Sequence, residues 1–267
     1  CDLPDIIAQF LYIDWRSPTS KIYEKLRKTS RGYKNYQSEV NSEANSSEQS
    51  PDPCIAILEG HSDRIHAVAI THDGQKVVSG AADGILKVWD LSTSSCQATF
   101  EDTDKILDIA ITPDDQTLFV RSGNEEEVLK SWDLVSGKLQ VPFKFQEGDE
   151  LVNGFAITPD GKKIISGSAH GVLKIWDIAT RDCQTIVEDF GDNFFEVAIT
   201  PNGQKIISGA QDGILRVWDL ATGNCIAIFE GHTNGIYGIS ITSDCQTVVS
   251  GSDDCTLKVW DLSTGAC

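Results

Sequence analysis

Serine, histidine and aspartate recur at fixed spacings in this sequence, and these are the residue types of an acyl-transfer triad. Two sets share one order and spacing, and each ends in a tryptophan: His61, Ser79, Asp83, Trp89, and His232, Ser250, Asp254, Trp260. A triad is needed once, with an exposed nucleophile and an oxyanion hole. Because the pattern is duplicated and includes an indole, it predicts two structural hydrogen-bond networks and no catalytic residue.

The eight cysteines are the second group that could do chemistry. Five of them occupy equivalent positions in a repeated unit: Cys54, Cys96, Cys183, Cys225 and Cys267. Because they are expected to lie at least a whole unit apart, they cannot reach the roughly 6 Å Cα separation of a disulfide. Cys245 and Cys255 are expected at opposite ends of one strand. No CxxC or Cys/His cluster has zinc-ligand spacing. The sequence predicts no metal, no cofactor and a cytoplasmic protein with free thiols; a membrane tether on a lipid-modified Cys1 is the alternative.

A repeated unit positions all these residues. The phrase SGAADGILKVWDLSTSSC begins at Ser79, and related phrases place tryptophans at 89, 132, 176, 218 and 260. The period of about 43 residues divides the chain into repeats 54–95, 96–138, 139–182, 183–224 and 225–266. The first repeat contains four short β-branched runs, CIAIL, IHAVAIT, KVVSG and ILKVWD, separated by turn residues. Such runs predict small antiparallel sheets that are buried on both faces.

The sequence resembles the WD40 family of β-propellers over residues 54–267. The Gly-His, Asp-Gly and Trp-Asp signatures appear in EGHSDRIHAVAITHDGQKVVSGAADGILKVWD. The resemblance implies an all-β propeller of five four-stranded blades, in which His, Ser, Asp and Trp form a hydrogen-bonded chain. The phrase AITPDGKKIISG is similar to those of bacterial multi-repeat WD proteins.

The resemblance also bears on how the ring closes. It implies that the first strand of each repeat is the outer strand of the preceding blade, so CIAIL would complete the blade that ends at Trp260. Rings of the family more often hold about seven blades. We therefore keep two alternatives, a closed ring of five blades and a piece of a longer array. The chain begins at Cys1, has no methionine and ends where a repeat would begin, so we expect a fragment or a processed product.

The middle repeats depart from the pattern. Asp102 and Glu126 replace the His and Asp of the second repeat, Gly148 and His170 those of the third, and Phe190 replaces the His of the fourth, which keeps Asp212. Ser122, Ser166 and Ser208 are expected to keep the serine. These departures are either drift or loops re-used for contact.

The resemblance implies a partner-binding face around the channel. Its residues flank the first apolar position of each inner strand or precede the turn Asp: Arg64, His66, Lys105, Leu107, Glu125, Leu151, Asn153, Asn193, Phe195, Gln211, Tyr237 and Asp253. Phe195 and Tyr237 are the predicted anchors, because large aromatics carry much interface energy. The alternative for Phe195 is burial between blades, and Arg64 and Lys105 are alternatively ordinary solvated charges.

Charge and composition narrow the function. The net charge of −18 is concentrated in the repeats, which disfavours nucleic acid and favours a neutral or basic protein or peptide. No apolar run is long enough to span a bilayer. No phosphate-binding glycine loop or unrepeated nucleophile and base is present. We therefore expect a non-catalytic interaction scaffold or sensor. The alternative is the regulatory or substrate-recognition part of a multidomain signalling enzyme whose catalytic domain lies outside this chain.

The first 53 residues are not a repeat. Residues 1–36 contain two stretches typical of short helices and are expected to be a short helical segment. The alternatives for its role are the tail of an upstream domain, a dimerising helix pair and a basic docking segment. Residues 37–53 have almost no apolar content and are expected to be a polar, flexible linker.

Overall fold

The computed structural model describes residues 56–123, 129–140, 152–187 and 192–267. The expected helical segment 1–36 and linker 37–53 lie outside these residues. The described part contains 18 strands and one 3₁₀ turn, Ala169–Gly171. None of its helical segments is long and apolar enough to cross a membrane.

The strands form five antiparallel sheets, which we call blades 1 to 5. Blade 1 contains β1 (Ile65–Ile70), β2 (Lys76–Ala81), β3 (Ile85–Asp90) and β4 (Ser95–Glu101). Blade 2 contains β5 (Ile106–Ile111), β6 (Thr117–Ser122) and β7 (Leu129–Asp133). Blade 3 contains β8 (Val152–Ile157), β9 (Lys163–Ser168), β10 (Leu173–Asp177) and β11 (Cys183–Val187). Blade 4 contains β12 (Phe194–Ile199), β13 (Lys205–Ala210), β14 (Leu215–Asp219) and β15 (Cys225–Phe229), and blade 5 contains β16 (Ile236–Ile241), β17 (Thr247–Ser252) and β18 (Leu257–Asp261).

The outer strand of a blade comes from the next sequence repeat. β4 lies beyond the first tryptophan and pairs with β3 in the register Val88↔Ala98. β11 pairs with β10, and β15 with β14, in the same way. The expected offset between sequence repeat and structural blade is therefore confirmed.

The strand expected at residues 54–58 is wrong for its described part. Residues 56–58 form no strand, and blade 5 has three strands within the described residues. The outer edge of blade 1 is already occupied by β4, so residues 56–58 cannot pair with that edge. They do not reach β18, and Ile57 is exposed. Because a strand needs a partner edge, this apolar run remains outside the sheets.

The hydrophobic core lies between neighbouring blades rather than inside any one of them. Four apolar clusters join blade 1 to 2, 2 to 3, 3 to 4 and 4 to 5. At three of these interfaces, a glycine on the second strand of one blade packs against the first residue of the inner strand of the next blade. A Cβ on Gly80 would lie 2.4 Å from Cγ2 of Ile106, so a larger residue in that position requires the interface to shift.

The first and last blades each present an apolar face to solvent. Leu215 and Val217 of blade 4 are 0% and 1% exposed, whereas their equivalents in blade 5, Leu257 and Val259, are 53% and 56% exposed. Ile65 of blade 1 is 37% exposed, although its equivalent Ile236 is fully buried. The described blades therefore form an arc of five with four packed interfaces and two uncovered faces.

Candidate functional site

The inner strands of all five blades line one central cavity of about 420 Å³. The inner strands of blades 2 to 5 bury their first residue between blades, and all five inner strands direct their second residue into the cavity. Five of the residues predicted for the partner-binding face line it in this way: His66, Leu107, Asn153, Phe195 and Tyr237. The period-two alternation of a strand explains why one position per repeat is brought to the same place.

An aromatic pair forms one wall of the cavity. The rings of Phe195 and Tyr237 stack with centroids 4.4 Å apart and an interplanar angle of 11°. Tyr237 is 43% exposed, and Phe195 is half-buried. The neighbour Phe194, and not Phe195, packs between blades 3 and 4. Partial burial raises the pKa of the Tyr237 hydroxyl, and the charge of Asp253 raises it further.

Three charged side chains line the cavity that the sequence interpretation did not single out: Asp108, Arg121 and Glu196. Burial raises the pKa of Asp108 to about 6, although Arg121 opposes the rise. Burial also raises the pKa of Glu196 well above its usual range, and the charge of Asp108 raises it further. Each carboxyl follows directly after a predicted contact residue, at a strand position where other repeats have Ala67, Gly154 or Gly238. An acid among small residues was the signal that could have identified them.

Strand register corrects the expectation for Ser122. Ile106 pairs with Ser122, just as Ile65 pairs with Ala81, so the equivalent of Ser79 is Val120. Val120 has no hydroxyl, and Trp132 Nε1 has no hydrogen-bond partner among the described residues. The Ser122 hydroxyl donates instead to Asp102, at 3.3 Å. By the same register Arg121 occupies the glycine position of the other blades.

The other predicted contact residues that the structure describes lie in loops next to the first and second strands of their blades: Arg64, Lys105, Asn193, Gln211 and Asp253. The Gln211 backbone N–H donates to the Asn193 carbonyl, and the Asn193 side chain donates to the Gln211 side chain at 2.9 Å. Arg64, Lys105 and Gly235, which precede their inner strands, likewise accept backbone hydrogen bonds from Ala82, Gly123 and Asp253. Arg64, Lys105 and Asp253 are exposed. Glu125 and Leu151 lie outside the described residues, as do Glu126, Gly148 and Phe190.

Blade 5 contains a full histidine network. Trp260 Nε1 donates to Ser250 Oγ at 2.8 Å, and Ser250 Oγ bonds His232 Nε2 at 2.7 Å. His232 Nδ1 lies 2.8 Å from Asp254. Burial favours the neutral form of Asp254, but hydrogen bonds from Thr256, the Thr233 backbone and His232 outweigh it and hold the pKa of this carboxyl well below its usual range.

Blade 1 contains the same network with a looser last step. Trp89 Nε1 donates to Ser79 Oγ at 2.8 Å, and Ser79 Oγ bonds His61 Nε2 at 2.7 Å. His61 Nδ1 lies 3.4 Å from Asp83, which is instead held by the Ser62 N–H at 2.8 Å. Each serine is occupied by an indole and an imidazole, so neither oxygen is presented as a nucleophile.

Two of the departing blades replace the histidine with an ion pair. In blade 4, Asp212 accepts hydrogen bonds from Arg216, and Trp218 Nε1 donates to Ser208 at 2.9 Å. In blade 2, Lys130 pairs with Asp102 at 2.5 Å. Lys130 and Arg216 occupy the same strand position in their blades. Arg216 reaches Asp212, the turn acid that the histidine otherwise holds, whereas Lys130 reaches Asp102, which stands in the place of the histidine itself.

We expect Ser250→Ala to destabilise the protein more than Ser208→Ala, by about 1 kcal/mol. Both serines are buried and accept from an indole, but Ser250 also bonds His232. Removing Ser250 therefore leaves two buried polar groups short of a partner instead of one. Urea unfolding of the two variants measures the difference, and equal losses would show that the imidazole bond contributes nothing.

Within the described residues, no group of three or more His, Cys, Asp and Glu side chains is arranged to hold a metal ion.

Small antiparallel blades packed in sequence around a central cavity define a β-propeller. The family model of the WD domain, G-beta repeat, matches residues 52–90, 139–177, 188–219 and 223–261. The chain therefore belongs to the WD40 repeat family. The second repeat, which has lost the serine of its network, is the one that the family model does not match.

Curated relatives are WD-repeat proteins of eukaryotes. A WD repeat domain-containing protein 83 homolog of Dictyostelium discoideum is 29% identical over 135 residues, 50% of this chain and 40% of that protein. Target of rapamycin complex subunit wat1 of Schizosaccharomyces pombe is 26% identical over 132 residues, 49% of this chain and 40% of that protein. Human pre-mRNA-processing factor 17 is 26% identical over 126 residues, 46% of this chain and 21% of that protein. The matches span two fifths or less of each relative.

Proposed function

We propose that this chain is a non-catalytic interaction module that binds a protein or peptide over the mouth of its central cavity. The observation that carries the proposal is the convergence of one residue from every inner strand on a single cavity. A rigid scaffold that presents side chains from five separate strands is suited to recognition, because it loses little conformational entropy on binding.

Four further observations support this proposal. Tyr237 and Phe195 form an aromatic surface at the cavity, and aromatic residues commonly act as binding anchors. The serines of both Ser-His-Asp sets are closed off by tryptophan, which disfavours hydrolytic chemistry. One relative is, by its name, a subunit of a complex. The net charge of −18 favours a neutral or basic partner over nucleic acid.

The test of this proposal is a double variant, Phe195→Ala with Tyr237→Ala. We expect at least about a tenfold loss of affinity for a purified partner, because two aromatic anchors are removed from the centre of the interface. The matched control is Ile226→Ala with Ile228→Ala, which removes two large exposed side chains from the outer strand β15. Calorimetric titration gives the affinities, and circular dichroism checks that both variants are folded.

Equal affinities of the wild type and a folded Phe195/Tyr237 variant would contradict the proposal. A larger loss in the β15 control would contradict it as well, and would place the contact on the outer rim of the blades.

A further inference from the structure

We propose that the central cavity binds one cationic side chain, of arginine or lysine, from a peptide docked on the loop face. This inference rests on the proposed function and adds the chemistry that the cavity selects. It is carried by the way in which blades 2 and 4 depart from the repeat.

Charged residues replace small ones at three positions that face the cavity. The third residue of the inner strand is Ala67, Gly154 or Gly238 in three blades, but Asp108 in blade 2 and Glu196 in blade 4. The position occupied by glycine in other second strands is Arg121 in blade 2. All three charged side chains line the same cavity. Three charged substitutions that are spread over 89 residues of sequence are thus brought together in the central cavity.

The charges in the cavity do not balance. Two carboxyls, Asp108 and Glu196, face one guanidinium, that of Arg121, and Nε of Arg121 has no hydrogen-bond partner among the described residues. Asp108 and Arg121 lie on directly paired strands, so Arg121 offsets that carboxylate first. Among the described residues, the other titratable side chains that line the cavity are His66 of β1 and Tyr237 of β16, and neither of them is a fixed cation. When both carboxyls are ionised, one of them has no compensating charge within this described lining.

A cation from a ligand would supply that charge. Burial and the nearby Asp108 raise the pKa of Glu196, so the empty cavity favours the protonated form of its carboxyl. When an ammonium or guanidinium group enters, the O–H bond of Glu196 breaks and the proton passes to solvent. The carboxylate that remains pairs with the cation. Binding therefore releases a proton and tightens as the pH rises through the raised pKa.

The walls of the cavity fit the rest of such a side chain. The stacked rings of Phe195 and Tyr237 offer an apolar surface for a hydrocarbon stem and a π-face for a cation. A volume of about 420 Å³ falls in the range of roughly 300–1,000 Å³ that is typical of ligand pockets.

The experiment uses four capped tripeptides, titrated into the whole chain by calorimetry: Gly-Arg-Gly, Gly-Lys-Gly, Gly-citrulline-Gly and Gly-Glu-Gly. Citrulline keeps the shape of arginine without its charge. We expect the arginine and lysine peptides to bind at least about tenfold more tightly than the citrulline peptide at about pH 8. Titration in two buffers of different ionisation enthalpy then counts the protons released, and the comparison of arginine with lysine shows which cation fits better.

Two variants separate a role of Glu196 from the net charge of the protein. Glu196→Gln is expected to abolish the proton release and to weaken the arginine peptide at about pH 8 far more than at about pH 5. Glu101→Gln removes an exposed acid from the outer strand β4 and is expected to behave as the wild type. The comparison of arginine with citrulline on the wild-type protein remains decisive if Glu196→Gln does not fold.

Equal binding of the citrulline and arginine peptides, no saturable binding of either cationic peptide, or tighter binding of a capped Gly-Glu-Gly peptide would overturn the inference. So would a folded Glu196→Gln that matches the Glu101→Gln control. If these results occur while Phe195→Ala with Tyr237→Ala still loses the purified partner, the proposed function stands and only the cationic side chain is wrong. If that double variant also retains the partner, both proposals fail.

Discussion

Leu215→Ala should lower the free energy of unfolding by about 2–5 kcal/mol, while Leu257→Ala should lower it by less than about 1 kcal/mol. The two leucines occupy the same position of β14 and β18, two residues before the central valine of each strand. Leu215 is fully buried in the cluster that joins blades 4 and 5, so its truncation leaves a cavity. Leu257 is 53% exposed, so its truncation removes little packing.

Urea unfolding of the two leucine variants measures this contrast within one protein. The substitution, the strand type and the position in the blade are identical, so the difference reports only on what covers each face. Equal losses of unfolding free energy in the two variants would mean that the face of blade 5 that carries Leu257 is covered in solution. Such a result would favour a closed ring of five blades over the open arc.

Asp108→Asn should stabilise the protein at about pH 8 by up to about 3 kcal/mol and have little effect at about pH 3. Burial raises the pKa of this carboxyl to about 6, so the folded protein favours its neutral form. The stability associated with the neutral form is fully present below the usual pKa of an aspartate. It is lost as the pH rises through the window from about 4 to about 6. Asparagine stays neutral, so the variant does not undergo this loss.

Asp90, whose pKa is lowered instead of raised, provides the control. Hydrogen bonds, the first of them from Ser92 and the next from the Thr93 backbone, lower the pKa of Asp90 to about 2. The ionised Asp90 therefore stabilises the folded protein above the usual pKa of an aspartate, and this stabilisation is lost as the pH falls through the lowered pKa. Asp90→Asn should destabilise the protein at neutral pH. Thermal unfolding of both variants across the pH range checks the two signs. A destabilising Asp108→Asn at about pH 8 would show that this carboxylate is stabilised, and not strained, in the cavity.

The repeat period made the architecture predictable from the sequence. Tryptophans about 43 residues apart and β-branched runs between turn residues predict short strands, and the strand order of the blades follows. The resemblance to the WD40 family supplied the second residue of each inner strand as a contact position: His66, Leu107, Asn153, Phe195 and Tyr237. All five line the cavity, because alternation along a strand repeats in every blade.

Blade 2 shows why local spacing can mislead. Ser122 lies ten residues before Trp132, as Ser79 lies ten residues before Trp89, and this spacing favoured Ser122 as the network serine. The fold instead keeps the spacing from the turn before β6, in which the backbone N–H of Thr112 donates to the carbonyl of Thr117 as the equivalent threonines do in the other blades. Ser79 lies eight residues after Thr71, and the residue eight positions after Thr112 is Val120. The extra residues are accommodated between β6 and β7, and a sequence alone does not reveal which of the two spacings the fold keeps.

The charges in the cavity were missed for a different reason. Asp108, Arg121 and Glu196 lie on three strands of two blades, and nothing in their local sequence brings them together. Their proximity and the rise in the carboxyl pKa values arise only when the blades pack. A comparison of the five inner strands position by position identifies the acids as exceptions, but only the structure brings the arginine to them.

The most direct test of the central claim, that the cavity face binds the partner, is amide hydrogen exchange of the chain with and without a purified partner. We expect new protection in the loops that precede the inner strands, around Arg64, Lys105, Asn193 and Gly235, and at the first residues of β1, β5, β12 and β16. The outer strands β4, β11 and β15 should exchange as in the free protein. Protection confined to those outer strands, or to the exposed face of β18, would contradict the account and place the binding surface away from the cavity.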